Sequence, residues 1–328
     1  MNKRTGWLFH LLRTLLFTGA FLVVFALFHH VLPHAADERT PGGRQSMTAT
    51  GFSAPVSTDA PETAEESWAD MFAEHFSGSV IQTESSYAGP GVSITIETVT
   101  GEYAGLKQKY TIADVYIADI QNLQTYPAHN GFTTYSADPA VELDKESGAV
   151  LAVNGDYCNV QKKGFVVRNG TVYMDGATEM DICVLYYDGT METYSPGEYE
   201  IADILAKEPY QVWEFGPKLL DAEGNPCTQF NTGAALLKNH PRCGIGYYEP
   251  GHYCFVVSEG RRKDATGLTM KEFSQLFYDL GCTSAYNLDG GASAVMVFNN
   301  EEITRRGEQR GLGDIILIKE VADEKAAP

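Results

Sequence analysis

Two short stretches carry the residue types that acid–base or nucleophilic chemistry needs. "AVNGDYC", Ala152 to Cys158, and "YNLDGGASA", Tyr286 to Ala294, each leave an apolar strand-like run, present an asparagine and then an aspartate two residues later, and set glycine beside the aspartate. Glycine lets the backbone approach a ligand closely, so a carboxylate at such a strand end can meet a substrate. There it can attack a carbon, activate water, protonate a leaving oxygen or hold a cation. Asn, Asp and Gly are also ordinary turn residues, and one such cluster alone reads as a turn. Neither, however, is followed by the return strand of a two-residue hairpin.

Cationic candidates lie nearby in the chain. In "NHPRCGIGYY", Arg242 follows a proline that fixes the local backbone and enters a glycine-containing strand, which suits a guanidinium aimed at an anion. In "VVSEGRRKDATGLT", Glu259 and Arg261 sit two residues apart at a strand end and would share a face, although a salt-bridged loop would look the same. The Phe215-Gly216-Pro217 bend reads mainly as architecture that could line a pocket. A P-loop, G-x-S-x-G and H-E-x-x-H are all absent, and so is CxxC, which sets aside nucleotide transfer, serine hydrolysis and zinc chemistry.

The elements that must carry these residues are mostly strands. "VSITIETV" from Val92, "YTIADVYIADI" from Tyr110 and "GAVLAVNGDY" from Gly148 have strand composition. Asn169-Gly170, Asp188-Gly189 and Pro250-Gly251 each sit between two such runs and predict hairpin turns. One helix stands out: in "GLTMKEFSQLFYDLG" Thr269 and Glu272 form a capping box, Phe273, Leu276, Phe277 and Leu280 make one apolar face, and Gly281 closes the end. A shorter amphipathic helix is expected from Trp68, Met71, Phe72 and Phe76. Many strands unevenly interleaved with few helices suggest an α+β fold, with mixed β-sheets and a few packed helices in a single domain from about 78 to 321. A helical lead-in covers 62–77 and a tail 322–328.

The N-terminus is of another kind. Thr14 to Leu32 contains no Asp, Glu, Lys or Arg, and as a helix would cover about 28 Å, close to the hydrocarbon thickness of a bilayer. Lys3, Arg4 and Arg13 precede it and Asp37 and Glu38 follow, so residues 1–13 are expected in the cytoplasm, 14–32 across the membrane as a signal anchor, and the rest outside; the alternative is a signal peptide cleaved at Ala36, which His34 two residues before disfavours. Residues 33–61, rich in Ala, Thr, Ser, Pro and Gly, read as a flexible stalk. The chain is thus expected to be a single-pass protein of the cell membrane with the lipid bilayer as one partner. Six cysteines in an exported chain permit disulfides without fixing a pairing. The formal net charge of −19 argues against nucleic acid as a partner, and a phosphate-bearing substrate would need a local cationic site.

The order of motifs says more than any one of them. "VNGDY", "FGPKLL", "HPRCGIG", "VSEGR" and then "GLTMKEFSQLFYDLGCTSAYNLDGGASAVMV" closely resemble the phosphodiester glycosidase family over about residues 90 to 320. The resemblance implies hydrolysis of a sugar 1-phosphodiester, with a cell-envelope or exopolysaccharide glycan as the substrate class. Asn154, Gly155 and Asp156 match the family's Asn-Gly-Asp, Arg242 its Pro-Arg, Arg261 the Arg after its Asp-Gly, and Asn287 to Gly291 its Asn-Leu-Asp-Gly-Gly. Glu259 stands where the family has Asp, Cys243 where it has Thr, and Ala292-Ser293-Ala294 where it has Gly-Ser-Ser.

Asp289 and Asp156 are therefore the expected catalytic pair. Arg242, Asn154, Asn287, Gly290, Gly291, Ser293, Glu259 and Arg261 are expected to bind substrate, with Arg242, Arg261 and the two glycine N–H groups on the phosphate. This reading requires no cofactor and leaves room for a divalent cation. Its rivals are a metal-dependent phosphodiesterase that uses both aspartates as ligands, and a non-catalytic glycan-binding or polysaccharide-export protein.

Overall fold

The computed structural model describes residues 67–321, except 104, 130, 133 and 134. The expected membrane anchor, stalk and C-terminal tail lie outside the described residues. Among the described residues, no helix is long and apolar enough to cross a membrane.

Three sheets, antiparallel in every pairing described, share one core. The first has seven strands in the spatial order Ile81–Gln82, Ser86–Ala88, Val92–Tyr103, Leu106–Ile117, His252–Ser258, Arg242–Glu249 and Ser284–Asn287. The second has five: Glu301–Glu302, Met296–Phe298, Leu151–Asn154, Asp314–Ile318 and Leu123–Pro127. The third also has five: Met191–Tyr194, Ile182–Tyr186, Pro209–Glu214, Phe165–Arg168 and Thr171–Asp175. Alternate residues of each strand point to opposite faces. Tyr253, Phe255 and Val257 thus join Val153, Met296 and Ile316 of the second sheet and Cys183 and Trp213 of the third in the common core.

The outer face of each sheet is covered by a helix. Met270–Asp279 lies on the first, where Cys254 and Val256 meet Phe273 and Phe277. Ala140–Ser147 covers the second and Ile201–Ala206 the third. The Thr269–Glu272 capping box closes in both directions, and Gly281 takes φ +84° beyond the helix. The glycines of "CGIG" have an architectural cause: a Cβ on Gly244 would lie 2.9 Å from the Phe273 ring, and one on Gly246 2.8 Å from Phe277. The helix approaches the strand only because those side chains are missing.

All three expected hairpin turns form, with Gly170, Gly189 and Gly251 at positive φ. The lead-in differs from its expectation: the helix spans only Trp68–Met71, capped by Ser67. Trp68 and Phe72 lie against the Gly189 and Gly251 turns while Met71 is exposed, so only about one helical turn has a surface to bury. All six cysteines are free thiols, with Cys254 Sγ 3.6 Å from Cys282 Sγ.

Candidate active site

The site forms where strand ends of the first two sheets meet. Asn154 ends one strand and Asn287 another, while Arg242 and Asp314 begin their antiparallel neighbours. Gly155 lies at the centre: its N–H donates to Asp314 O (3.1 Å) and its carbonyl accepts from Asp289 N–H (3.3 Å). A Cβ on Gly155 would collide with the Asp314 carboxylate, which explains the glycine of "NGD". Asn154 then ties the two loops together, donating from Nδ2 to Asp289 O (2.6 Å) and accepting at Oδ1 from Val295 N–H (3.2 Å). Asn287 donates to Gly216 O (2.7 Å) in the Phe215-Gly216-Pro217 bend, leaving its buried Oδ1 without a hydrogen-bond partner among the described residues.

Asp289 stands in the wall shared by two cavities. The smaller, about 260 Å³, is lined by Tyr157, Asn159, Ser293 and Asp314 among others, and the larger, about 590 Å³, by Phe215, His240, Arg261, Asn287 and Gly291. Asp289 and Arg310 line both. Asp289 Oδ1 accepts from Gly290 N–H (2.8 Å), and Oδ2 accepts from the Arg310 guanidinium, whose Nε donates to Ser293 Oγ (2.9 Å). Burial pushes the Asp289 carboxyl above the usual aspartate range, and the bonds from Ser293, Arg310 and Gly290 oppose that shift.

Tyr157 holds a left-handed backbone, φ +61°, at the rim of the smaller cavity, a conformation that costs a non-glycine residue energy. Its ring meets Phe215 of the larger cavity edge to face at 5.3 Å. Gly290 is needed because a Cβ there would lie 2.7 Å from Pro241 O, and that same carbonyl accepts from Gly291 N–H (3.0 Å). The N–H groups of both glycines are therefore used within the protein, Gly290 on Asp289 in its own loop and Gly291 on Pro241 before the Arg242 strand, instead of facing a phosphate as expected.

Several expected site residues have other occupations. Asp156 lines neither cavity: it is fully buried, with Oδ1 on Arg168 Nη2 (2.6 Å) and Cys158 N–H (3.1 Å), and Oδ2 on Glu214 N–H (2.7 Å). Its oxygens are all spoken for, so it does not meet Asp289 across a substrate. Arg242 borders the larger cavity, but its guanidinium donates to Leu268 O (3.0 Å), Leu236 O (2.6 Å) and Lys238 O (2.7 Å). Burial pulls that group down to about 10, so it stays charged at neutral pH while bracing the 236–240 loop. Glu259 lies outside both walls, paired with Lys109 (2.8 Å) and accepting from Arg305 N–H (3.1 Å). Arg261 does reach the larger cavity, held near His240 Nδ1 (3.3 Å).

Among the described residues, one cluster has the side-chain types of a metal centre, Asp156, Cys158 and Asp314, with ligand atoms within 4.8 Å of one another. The Arg168 guanidinium already fills it, 2.6 Å from Asp156 and 3.4 Å from Asp314, so these residues do not fit a metal. Burial and the second carboxylate push Asp314 above the usual aspartate range despite Arg168. Arg168, Asp314, Tyr157 and Arg310 all escaped the sequence reading. Two signals were available: an arginine closing the apolar run "GFVVR", and the Gly-flanked "GEQRGLGD" before the last strand.

An α+β scaffold of three sheets carries a carboxylate and two arginines on loops around a divided cleft. Residues 147–319 match the phosphodiester glycosidase family, and the chain belongs to it. Over 206 residues it is 28% identical to the SPbeta prophage-derived uncharacterized protein YomE of Bacillus subtilis (strain 168), a match covering 60% of this chain and 32% of that protein. This chain thus spans about a third of that relative's length. The catalytic domain of zebrafish N-acetylglucosamine-1-phosphodiester alpha-N-acetylglucosaminidase, auto-inhibited by its pro-peptide, superposes with a TM-score of 0.58. That match has 16% identity and covers 71% of this chain and 84% of the other, a similarity of fold.

Proposed function

We propose that this chain hydrolyses a sugar 1-phosphodiester at the glycosidic C–O bond. The observation that carries this reading is the Asp289 carboxylate in the wall between two cavities, with arginines on both sides of it and within the stretch that matches the family. In the reaction the bond between the anomeric carbon and the bridging oxygen breaks. The bridging oxygen leaves with the phosphate monoester, and the oxygen of water ends on the sugar.

The residues divide the work as follows. Asp289 faces the anomeric carbon, as nucleophile or as the base for water. Arg261 and Arg310 hold the phosphate, and one such charge-assisted donor supplies roughly 3 to 4 kcal/mol of transition-state stabilisation. The leaving group is already an anion with a second pKa of about 6, so it needs little help from a proton donor. Asp156, neutralised by Arg168, supports the Asn154–Gly155 strand end and takes no direct part. The substrate belongs to a cell-envelope or exopolysaccharide glycan, reached by a domain held outside the membrane through residues 14–32.

Hydrolysis in ¹⁸O-labelled water tests the bond that breaks. Label in the released sugar is expected; label in the phosphate would instead mean P–O cleavage and sink the glycosidase reading.

A further inference from the structure

We propose that Arg310 makes this site selective for phosphodiesters over ordinary glycosides: in the free protein it holds Asp289, and a substrate phosphate takes the guanidinium over and releases the carboxylate. This rests on the function proposed above and assigns to it the residue that recognises the anion.

The hydrogen bonds of Asp289 show why a release is needed. Oδ1 is engaged by the N–H of Gly290, its neighbour in the same loop, so Oδ2 is the oxygen left for chemistry. Arg310 covers it. Of this pair, the arginine is the partner that solvent reaches: its side chain is 56% exposed, against 15% for Asp289. Water screens an ion pair at its solvent-exposed arm, so a competing anion can draw the guanidinium away. A phosphate is such a competitor, since it offers a guanidinium two parallel charge-assisted bonds. A neutral aglycone offers no differential interaction with the two positions of Arg310 and cannot shift the balance between them.

The other arginines at the cleft lack this option. Arg242 is bonded to the carbonyls of Leu236, Lys238 and Leu268 and is buried. Arg261 borders the larger of the two cavities only, lies over Gly291 and is bonded to His240. Arg310 alone lines both cavities and touches the carboxylate. Ser293, bonded to Arg310 Nε (2.9 Å), marks the resting position from which it swings.

The test compares wild type with Arg310→Gln and Arg310→Lys. Substrates are the methyl phosphodiesters and the p-nitrophenyl glycosides of glucose, galactose, mannose and N-acetylglucosamine in both anomers. For the sugar that wild type accepts, the ratio of kcat/KM for diester over aryl glycoside should fall at least about 10²-fold in Arg310→Gln, with a smaller fall in Arg310→Lys. A ratio unchanged in both variants overturns the proposal while leaving the hydrolase reading intact. Calorimetric titration with the corresponding sugar 1-phosphates is the second arm: at least about tenfold weaker binding to Arg310→Gln is expected. Equal binding to wild type and variant, or no binding to wild type, overturns the proposal. Failure of wild type to hydrolyse any diester removes the function proposed above, and the titration still judges Arg310.

Discussion

The loops after Asn154 and Asn287 share a pattern of Asn, Asp and neighbouring glycine, yet they give their aspartates opposite fates. Asp289 meets solvent and two cavities, and its partner Arg310 is an exposed surface arginine. Asp156, two residues from the twin asparagine, is sealed in with Arg168, each side chain fully buried. The difference lies in what comes from far along the chain. The Phe165–Arg168 strand delivers a cation to Asp156, and the end of the third sheet delivers the Glu214 N–H. Asp289 receives only an exposed loop. A carboxylate becomes a reactive candidate when its compensating charge can be taken away.

Paired substitutions test this contrast most strongly. Asp289→Asn should leave thermal and urea unfolding unchanged while lowering kcat/KM at least about 10²-fold. Asp156→Asn should do the reverse, removing roughly 3 kcal/mol of stability because Arg168, fully buried, loses the nearer of its two carboxylate partners and keeps only Asp314 at 3.4 Å. Should Asp156→Asn instead unfold like wild type and lose turnover as Asp289→Asn does, the two loops are functional equals after all.

The arginines carry the same contrast at a smaller scale. Arg242→Ala strips three backbone carbonyls of their donor and should cost at least roughly 2 kcal/mol in urea unfolding, with any loss of turnover following from the displaced 236–240 loop. Arg261→Ala should unfold like wild type and raise KM for a phosphodiester about tenfold. Interchanged phenotypes would return Arg242 to the phosphate site that its Pro-Arg motif suggested.

What the sequence made legible follows from range. Turns such as Asn169-Gly170 and the Thr269–Glu272 capping box are decided within four residues, and they appear where their local chemistry demands. The strand-end loop that carries Asp289 was legible too, because it follows directly on the capped helix and a strand. The burial of Asp156 was hidden, since Arg168 lies 12 residues on and looks like an ordinary strand residue until the third sheet folds over it. Arg310 was hidden for the opposite reason: an exposed loop arginine 21 residues beyond Asp289 obeys no periodicity. Arg242 shows a third limit, for Pro-Arg fixes where the guanidinium starts but not whether carbonyls or a ligand receive it.

A third buried carboxylate extends the comparison. Asp144, in the Ala140–Ser147 helix, is fully buried like Asp156 but has no arginine beside it, and burial pushes its carboxyl up to about 7. A carboxyl whose pKa is higher in the folded than in the unfolded state favours folding while protonated. That contribution is complete below the unfolded value near 3.8 and is lost as pH rises through about 7. Wild type should therefore lose on the order of 2 kcal/mol more than Asp144→Asn between pH 5 and 7 in urea titrations, because the amide cannot ionise. The neutral isostere should match wild type at pH 5 and exceed it at pH 7.5. Parallel pH profiles for the two proteins would mean that Asp144 finds a compensating partner, as Asp156 does in Arg168, and that burial without a cation is not what distinguishes it.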